Sequence, residues 1–279
     1  MLEFTTDAKE TATKHGAIHL IPMGRVSALA VLAFAAAYIS IVVARPNESG
    51  PPRKAVVVEL FTSEGCSSCP PADELLGHLS HDLSAKNIQV IPLGFHVDYW
   101  DGLGWKDRFS SAGFTQRQEQ YARALKVDGP YTPEMVVDGA VEFVGNNAGQ
   151  AQHTISQHAS QPEIAAVKIT PEGANQLSIQ IKAPATTGNA LVMLAITEDN
   201  LSTQVGSGEN GGRTLHHAAV VRELRELGKL REGSFEGAAQ LKLQKDWKLQ
   251  DLRAVVFIQN GPSGNIDGAS SIALTDQRR

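Results

Sequence analysis

The spacing of hydrophobic positions changes period several times along the chain, and each change marks an element. Residues 55–61, AVVVELF, are a short, nearly unbroken apolar and β-branched run, the pattern of a strand covered on both faces in a parallel arrangement. From Pro70 onward, Ala72, Leu75, Leu76, Leu79 and Leu83 recur at helical spacing. Residues 70–85 therefore read as an amphipathic helix, with Pro70 and Pro71 in the first turn, where missing N–H groups cost least. A second strand follows at 88–95, IQVIPLGF; Pro92 cannot donate to a ladder, which predicts an edge position. Residues 96–110 lose all periodicity, and then Ser111 caps a helix striped by Phe114, Tyr121, Ala122 and Leu125. Asp138–Gly139 between two short apolar runs predicts a type I′ hairpin over 134–145, and 147–159 reads as a further, weakly patterned helix.

After Gln161–Pro162 the texture becomes one of seven short alternating or apolar segments parted by turn residues: AAVKIT, LSIQIKA, ALVMLAITE, LHHAAVVREL, AAQLKLQ, AVVFIQN and ASSIAL. That spacing predicts an all-β sandwich-like domain over 162–279, with a boundary near 161. In the segment 55–161 the order is strand, helix, strand, helix, hairpin, helix. With right-handed crossover, the first two strands are parallel and the hairpin adds antiparallel strands on the other side. This is an α/β arrangement of the thioredoxin-like kind, a mixed sheet with flanking helices.

Charge narrows the partners. The formal net charge is −5 and no run of Lys or Arg appears, so a nucleic acid partner is not expected. Near the N-terminus, Val26–Val43 is uncharged and follows Arg25. With Val42 and Ala44 at cleavage-permitting positions, it reads as a signal peptide cut after Ala44, with an uncleaved membrane anchor as the alternative. Residues 1–45 are assigned to that segment and 46–54, PNESGPPRK, to a linker. Either reading puts the remainder in the periplasm or outside the cell, where disulfides persist.

Candidate chemistry centres on Cys66 and Cys69, the two cysteines of the chain. They are spaced Cys-x-x-Cys where a strand hands over to a helix. There, helix N–H groups favour a Cys66 thiolate, and Cys69 one turn on can resolve a mixed disulfide. A cycling thiol–disulfide centre acting on protein or peptide thiols is the leading reading, and no cofactor is expected. A structural disulfide, or a copper or zinc site completed by His96 and Asp98, stays open. Asp73 and Glu74 in the first turn oppose a thiolate if they point at the sulfur.

Thr132–Pro133 precedes a strand where a cis-proline would face the dithiol and present the Thr132 backbone to a substrate strand. Glu59, a carboxylate inside a buried strand, is a candidate proton acceptor for Cys69, the alternative being a pair with Lys54 or Arg53 or solvent at the strand end. His96, Asp98, Tyr99, Trp100 and Trp105 leave the C-terminal end of a parallel strand and are expected to crowd the dithiol as a substrate groove, the alternative for a tryptophan being packing under the inserted helix. His216 and His217 alternate to opposite faces of a strand and read as structural.

The stretches VVELFTSEGCSSCPPADELL, FHVDYWDGLGWKDRFSS, FTQRQEQYA, YTPEMVVDG and GGRTLHHAAVVREL resemble a bacterial secreted family named domain of unknown function 1223, within the thioredoxin-like superfamily. The likeness covers about residues 54–260. It implies a thioredoxin-like fold and export but no reaction. Cys66, Cys69, Thr132 and Pro133 match the thioredoxin-like active-site pattern, whereas the central pair is Ser67–Ser68 and not Gly–Pro.

Overall fold

Strand β1 (Val56–Thr62) is buried along its whole length, as its unbroken apolar run requires. The structure is a computed structural model that describes residues 54–84, 86–173 and 175–275, with Ser80 placed by its backbone alone. The run Val26–Val43 and the linker up to residue 53 lie outside the described residues. Among those described, no helix is long and apolar enough to cross a membrane.

Helix α1 (Pro70–Ser84) leads to β2 (Val90–His96), parallel to β1, and α2 (Ala112–Leu125) follows. The α2 N-cap is Ser111, whose hydroxyl accepts from the Gly113 N–H at 3.2 Å. Strands β3 (Glu134–Val137) and β4 (Val141–Val144) form the expected hairpin, with β3 antiparallel to β1. At the turn, Asp138 and Gly139 take φ of +46° and +64°. The Asp138 carboxylate also ties the hairpin down, accepting from Lys54 Nζ at 2.6 Å and from the Val57 N–H at 2.8 Å. Helix α3 spans Ala148–Ala159.

Nine strands follow: β5 (Ala166–Pro171), β6 (Gln176–Lys182), β7 (Leu191–Glu198), β8 (Leu201–Gln204), β9 (Thr214–His217), β10 (Val220–Lys229), β11 (Ser234–Gln240), β12 (Leu252–Gln259) and β13 (Ile266–Ala273). LHHAAVVREL divides into β9 and β10 at Ala218–Ala219, where Ala219 has φ +51°. The strand expected at 238–244 falls earlier, as β11.

The architecture is mixed α/β. An eight-stranded sheet runs in the order β13-β12-β7-β10-β2-β1-β3-β4, beside a three-stranded antiparallel sheet β11-β6-β5 and a two-stranded ribbon β8-β9. One face of the large sheet packs Val57, Phe61, Leu93, Phe95 and Phe257 around Phe114 and Tyr121 of α2. On the other face, Val56, Val58 and Leu60 meet α1 and α3, while Leu194, Ile196 and Val256 meet Leu177, Ile179 and Ile181 of the small sheet. Sandwich packing is therefore present in the C-terminal half, but one of its two layers is the far half of the large sheet. The boundary expected near 161 does not divide that sheet, and Gly50–Arg279 is one compact unit.

The edge position expected of β2 is corrected by the same pairing. β2 lies between β1 and β10, yet its ladder to β10 is a single pair, Val220 with Gly94. The Gly94 N–H donates to the Ala219 carbonyl at 2.8 Å. Pro92, two residues earlier, would aim its missing donor to the same side, where β10 has already diverged. A proline is tolerated there because no ladder bond is lost.

Candidate active site

Cys66 and Cys69 are joined as a disulfide with Cα atoms 5.5 Å apart, at the junction of β1 and α1. The Cys69 carbonyl accepts from the N–H groups of Ala72 and Asp73 at 2.8 and 3.1 Å, which starts the helix at this residue. Both cysteines are 0% exposed, although Ser67 and Ser68 between them face solvent. Ser68 Oγ lies 3.4 Å from Cys66 Sγ.

The Thr132–Pro133 bond is cis. Trp100 links it to the dithiol loop: its indole N–H donates to Thr132 Oγ1 at 2.8 Å. Trp100 also packs on Gly65, where an added Cβ would stand 3.1 Å from Trp100 Cβ and crowd it. Trp105 donates from Nε1 to Glu64 Oε2 at 2.8 Å. The irregular 96–105 segment therefore does reach the cysteine loop, and Trp100 and Trp105 remain only partly buried.

His96 is not a groove residue but part of a buried charged cluster. Its Nδ1 lies 2.6 Å from Asp107 Oδ2. Asp107 also accepts from the N–H groups of Glu64 and Phe109, each at 2.9 Å. His217 Nε2 stands 3.3 Å from Glu64 Oε1 and its Nδ1 4.0 Å from Asp73 Oδ2, and the two imidazole centroids are 4.9 Å apart. Neither His217 nitrogen completes a hydrogen bond, nor do Glu64 Oε1, Thr62 Oγ1 and Thr203 Oγ1, all buried. Such orphaned buried atoms are uncommon in proteins and call for a reason.

Protonation in the cluster is skewed. Burial pulls the His96 pKa down, but the charge and hydrogen bond of Asp107, with Asp73 and Glu64 beyond, outweigh it and raise the pKa above the ordinary imidazole value. Burial would lift Asp107, yet His96 and the two backbone donors hold it low. Burial likewise works to raise Glu64, but the His217 imidazole 3.3 Å away and the Trp105 N–H bring it below the usual carboxylate value. For Asp73 burial wins over His217 and His96, and its pKa is raised. A groove of about 620 Å³ between α1 and the β8–β9 ribbon is bordered by Asp73 and His217, which are themselves buried.

Two expected site residues lie elsewhere. Glu59 is on the α2 face of β1, opposite the face that carries α1. It accepts from Arg117 Nε at 2.6 Å, Arg117 Nη2 at 2.9 Å and the Tyr121 hydroxyl at 2.6 Å. That commitment removes it as proton acceptor for Cys69, and its partner is Arg117 rather than Lys54. Asp98 accepts from Thr115 Oγ1 at 2.6 Å and so fastens α2. Among the described residues, no three His, Cys, Asp or Glu side chains are arranged to hold a metal ion, which leaves a copper or zinc centre at His96 and Asp98 without a preformed site.

Sequence reasoning missed Glu64, Asp107, Glu134, Asn210 and the placement of His217. His216 and His217 do alternate, one exposed and one buried, but the buried one enters the cluster. Glu134, next to Pro133, is pushed up to about 7 by burial although Gln118 Nε2 donates to it at 2.6 Å.

The fold and site thus define a mixed α/β protein with a Cys-x-x-Cys disulfide buried at a helix start, backed by carboxylates and imidazoles. The chain belongs to the family described as protein of unknown function (DUF1223), whose model matches residues 57–259. It is similar to the crystal structure of protein AGR_C_4864 from Agrobacterium tumefaciens, with 28% identity and a TM-score of 0.64 over 80% of this chain and 96% of that one. No curated protein matches.

Proposed function

We propose that this chain is an exported thiol–disulfide oxidoreductase with a thioredoxin-like core, acting on protein or peptide disulfides through Cys66 and Cys69. The observation that carries the reading is the Cys-x-x-Cys disulfide at the start of α1, linked through Trp100 to the cis Thr132–Pro133 bond. In the reduced protein the Cys66 thiolate attacks one sulfur of a substrate disulfide, and the other substrate sulfur leaves as a thiolate. Cys69, losing its proton, then attacks Cys66 Sγ of the mixed disulfide. The second substrate thiol is released and the pair ends oxidised. The Cys69 proton goes to the buried cluster, where Asp73 lies one helical turn away on the same face. Residues 26–43 direct export or tether the protein on the periplasmic side.

A second reading, a binding module with a permanently closed disulfide, draws on the zero exposure of both sulfurs. Insulin reduction by the wild type and by Cys66→Ala separates the two. The oxidoreductase reading expects turnover that the substitution abolishes; equal rates would overturn it. A reduction potential far below that of the glutathione pool would favour the closed module.

A further inference from the structure

The loop that carries the disulfide is held by a segment distant from it in sequence. Strands β8 and β9 form a two-stranded ribbon that shares no ladder with either larger sheet, and such isolated ribbons have little stability of their own. Its glycine-rich tip, residues 206–213 (GSGENGGR), reaches the cysteine loop. Between Val205 and Leu215, Asn210 is the one buried residue. Its Nδ2 donates to the carbonyls of Glu64 and Cys66, each at 2.9 Å, and its Oδ1 accepts from Arg213 at 2.7 Å. Beside it, the Ser67 N–H donates to Glu209 Oε2 at 3.1 Å, and the Ser207 hydroxyl donates to the Gly104 carbonyl. Gly208, at φ +76°, passes so close to Trp105 that a Cβ there would sit 3.1 Å from Trp105 Cβ.

We infer that residues 206–213 are a latch over the Cys66–Cys69 disulfide, held by Asn210, and that sulfur exchange requires the latch to lift. This deepens the oxidoreductase reading by naming how the same site is regulated, and rests on it only for the biological purpose of opening. The argument is steric and energetic. A thiolate must approach a sulfur along the S–S axis, and both sulfurs are closed to solvent. Lifting the tip breaks a few hydrogen bonds but no sheet ladder, and water can take over the two carbonyls. Local opening is therefore far cheaper than unfolding. Once it opens, a dithiothreitol thiolate bonds to Cys66 Sγ, the Cys66–Cys69 bond breaks and Cys69 leaves as a thiolate. The second dithiothreitol thiol displaces Cys66, so the reductant departs as its cyclic disulfide and the protein gains two electrons and two protons.

The test is the rate at which dithiothreitol reduces the disulfide of the full chain, read by alkylation and mass. Wild type, Asn210→Ala and Glu209→Ala are compared in urea kept below the unfolding transition. Asn210→Ala, which loses two bonds to buried carbonyls, is expected to be reduced about tenfold faster. Glu209→Ala is expected to gain about twofold, and wild type and variants alike are expected to show rates nearly independent of urea. An unchanged rate in Asn210→Ala would overturn the latch. So would a wild-type rate that climbs with urea as steeply as global unfolding, which decides the matter even if Asn210→Ala does not fold. Insulin turnover is scored separately: a faster Asn210→Ala reduction without turnover in either protein keeps the latch and sinks the oxidoreductase, whereas turnover with latch-independent rates does the reverse.

Discussion

Two buried polar groups flank β1, and they are built on opposite terms. On the α2 face, Glu59, Arg117, Tyr121 and Gln259 close on one another. Arg117 grips both Glu59 oxygens, the Tyr121 hydroxyl bonds Glu59, and Gln259 Nε2 reaches Tyr121 Oη at 2.7 Å. None of these side chains appears among the orphaned polar atoms. At the C-terminal end of β1, Glu64, Asp73, His96, Asp107 and His217 are as deeply buried, but His217 and one Glu64 oxygen lack hydrogen-bond partners. A saturated network rigidifies a core and has nothing left to offer a reaction. Spare donor and acceptor capacity beside a cysteine pair is what the proposed proton movement needs. On the proposed function, the difference separates a structural Glu59 from a cluster able to take up the Cys69 proton.

The largest effect should come from breaking the saturated network. Arg117→Ala strands a buried Glu59 carboxylate and is expected to cost about 4 kcal/mol in urea unfolding. Adding Glu59→Leu should recover most of that loss, because no charge is then left unpaired. A double variant no more stable than the single one would mean that the network contributes something other than charge balance.

Glu134 has one satisfied oxygen and one orphaned oxygen. Its folded pKa, about 7, is above the ordinary 4.5. The folded state therefore holds more protons between those values, and stability falls as pH rises from 4.5 to 7. The loss amounts to about 3 kcal/mol over that window. Glu134→Gln should flatten this slope in melting experiments at pH 5 and pH 8; an unaltered slope would place its origin in another group.

A smaller effect is expected from Asp107→Asn, about 2 kcal/mol near pH 6. The Asp107 pKa is depressed, so its contribution is present above the ordinary carboxylate pKa and lost as pH falls through the folded value. The His96 pKa is raised, so its contribution is complete below about 6.5 and lost as pH rises through the folded value. The penalty should therefore be greatest between about pH 4 and 6.5 and shrink on either side. A penalty constant from pH 4 to 9 would contradict the ion pair.

The local elements were legible because their causes are local. The period of three to four residues in α1, the Ser111 cap and the Asp138–Gly139 turn each act within a few positions of themselves. Pro92 misled because edge position was inferred from one missing donor, whereas β10 leaves β2 after a single pair. The boundary at 161 misled for a related reason: alternating segments announce strands but not the sheet they will join.

Sequence alone determined the Cys-x-x-Cys at a strand-to-helix junction, the Ser111 cap, the Asp138–Gly139 turn and most of the elements between, since spacing and backbone chemistry are written in neighbouring residues. Tertiary structure alone decided that Asp107, His217 and Asn210 meet at that junction, and that Glu59 does not. Asn210 lies 144 positions from Cys66, and a contact across that distance is selected by the packing of whole sheets, of which no short stretch of sequence carries a trace.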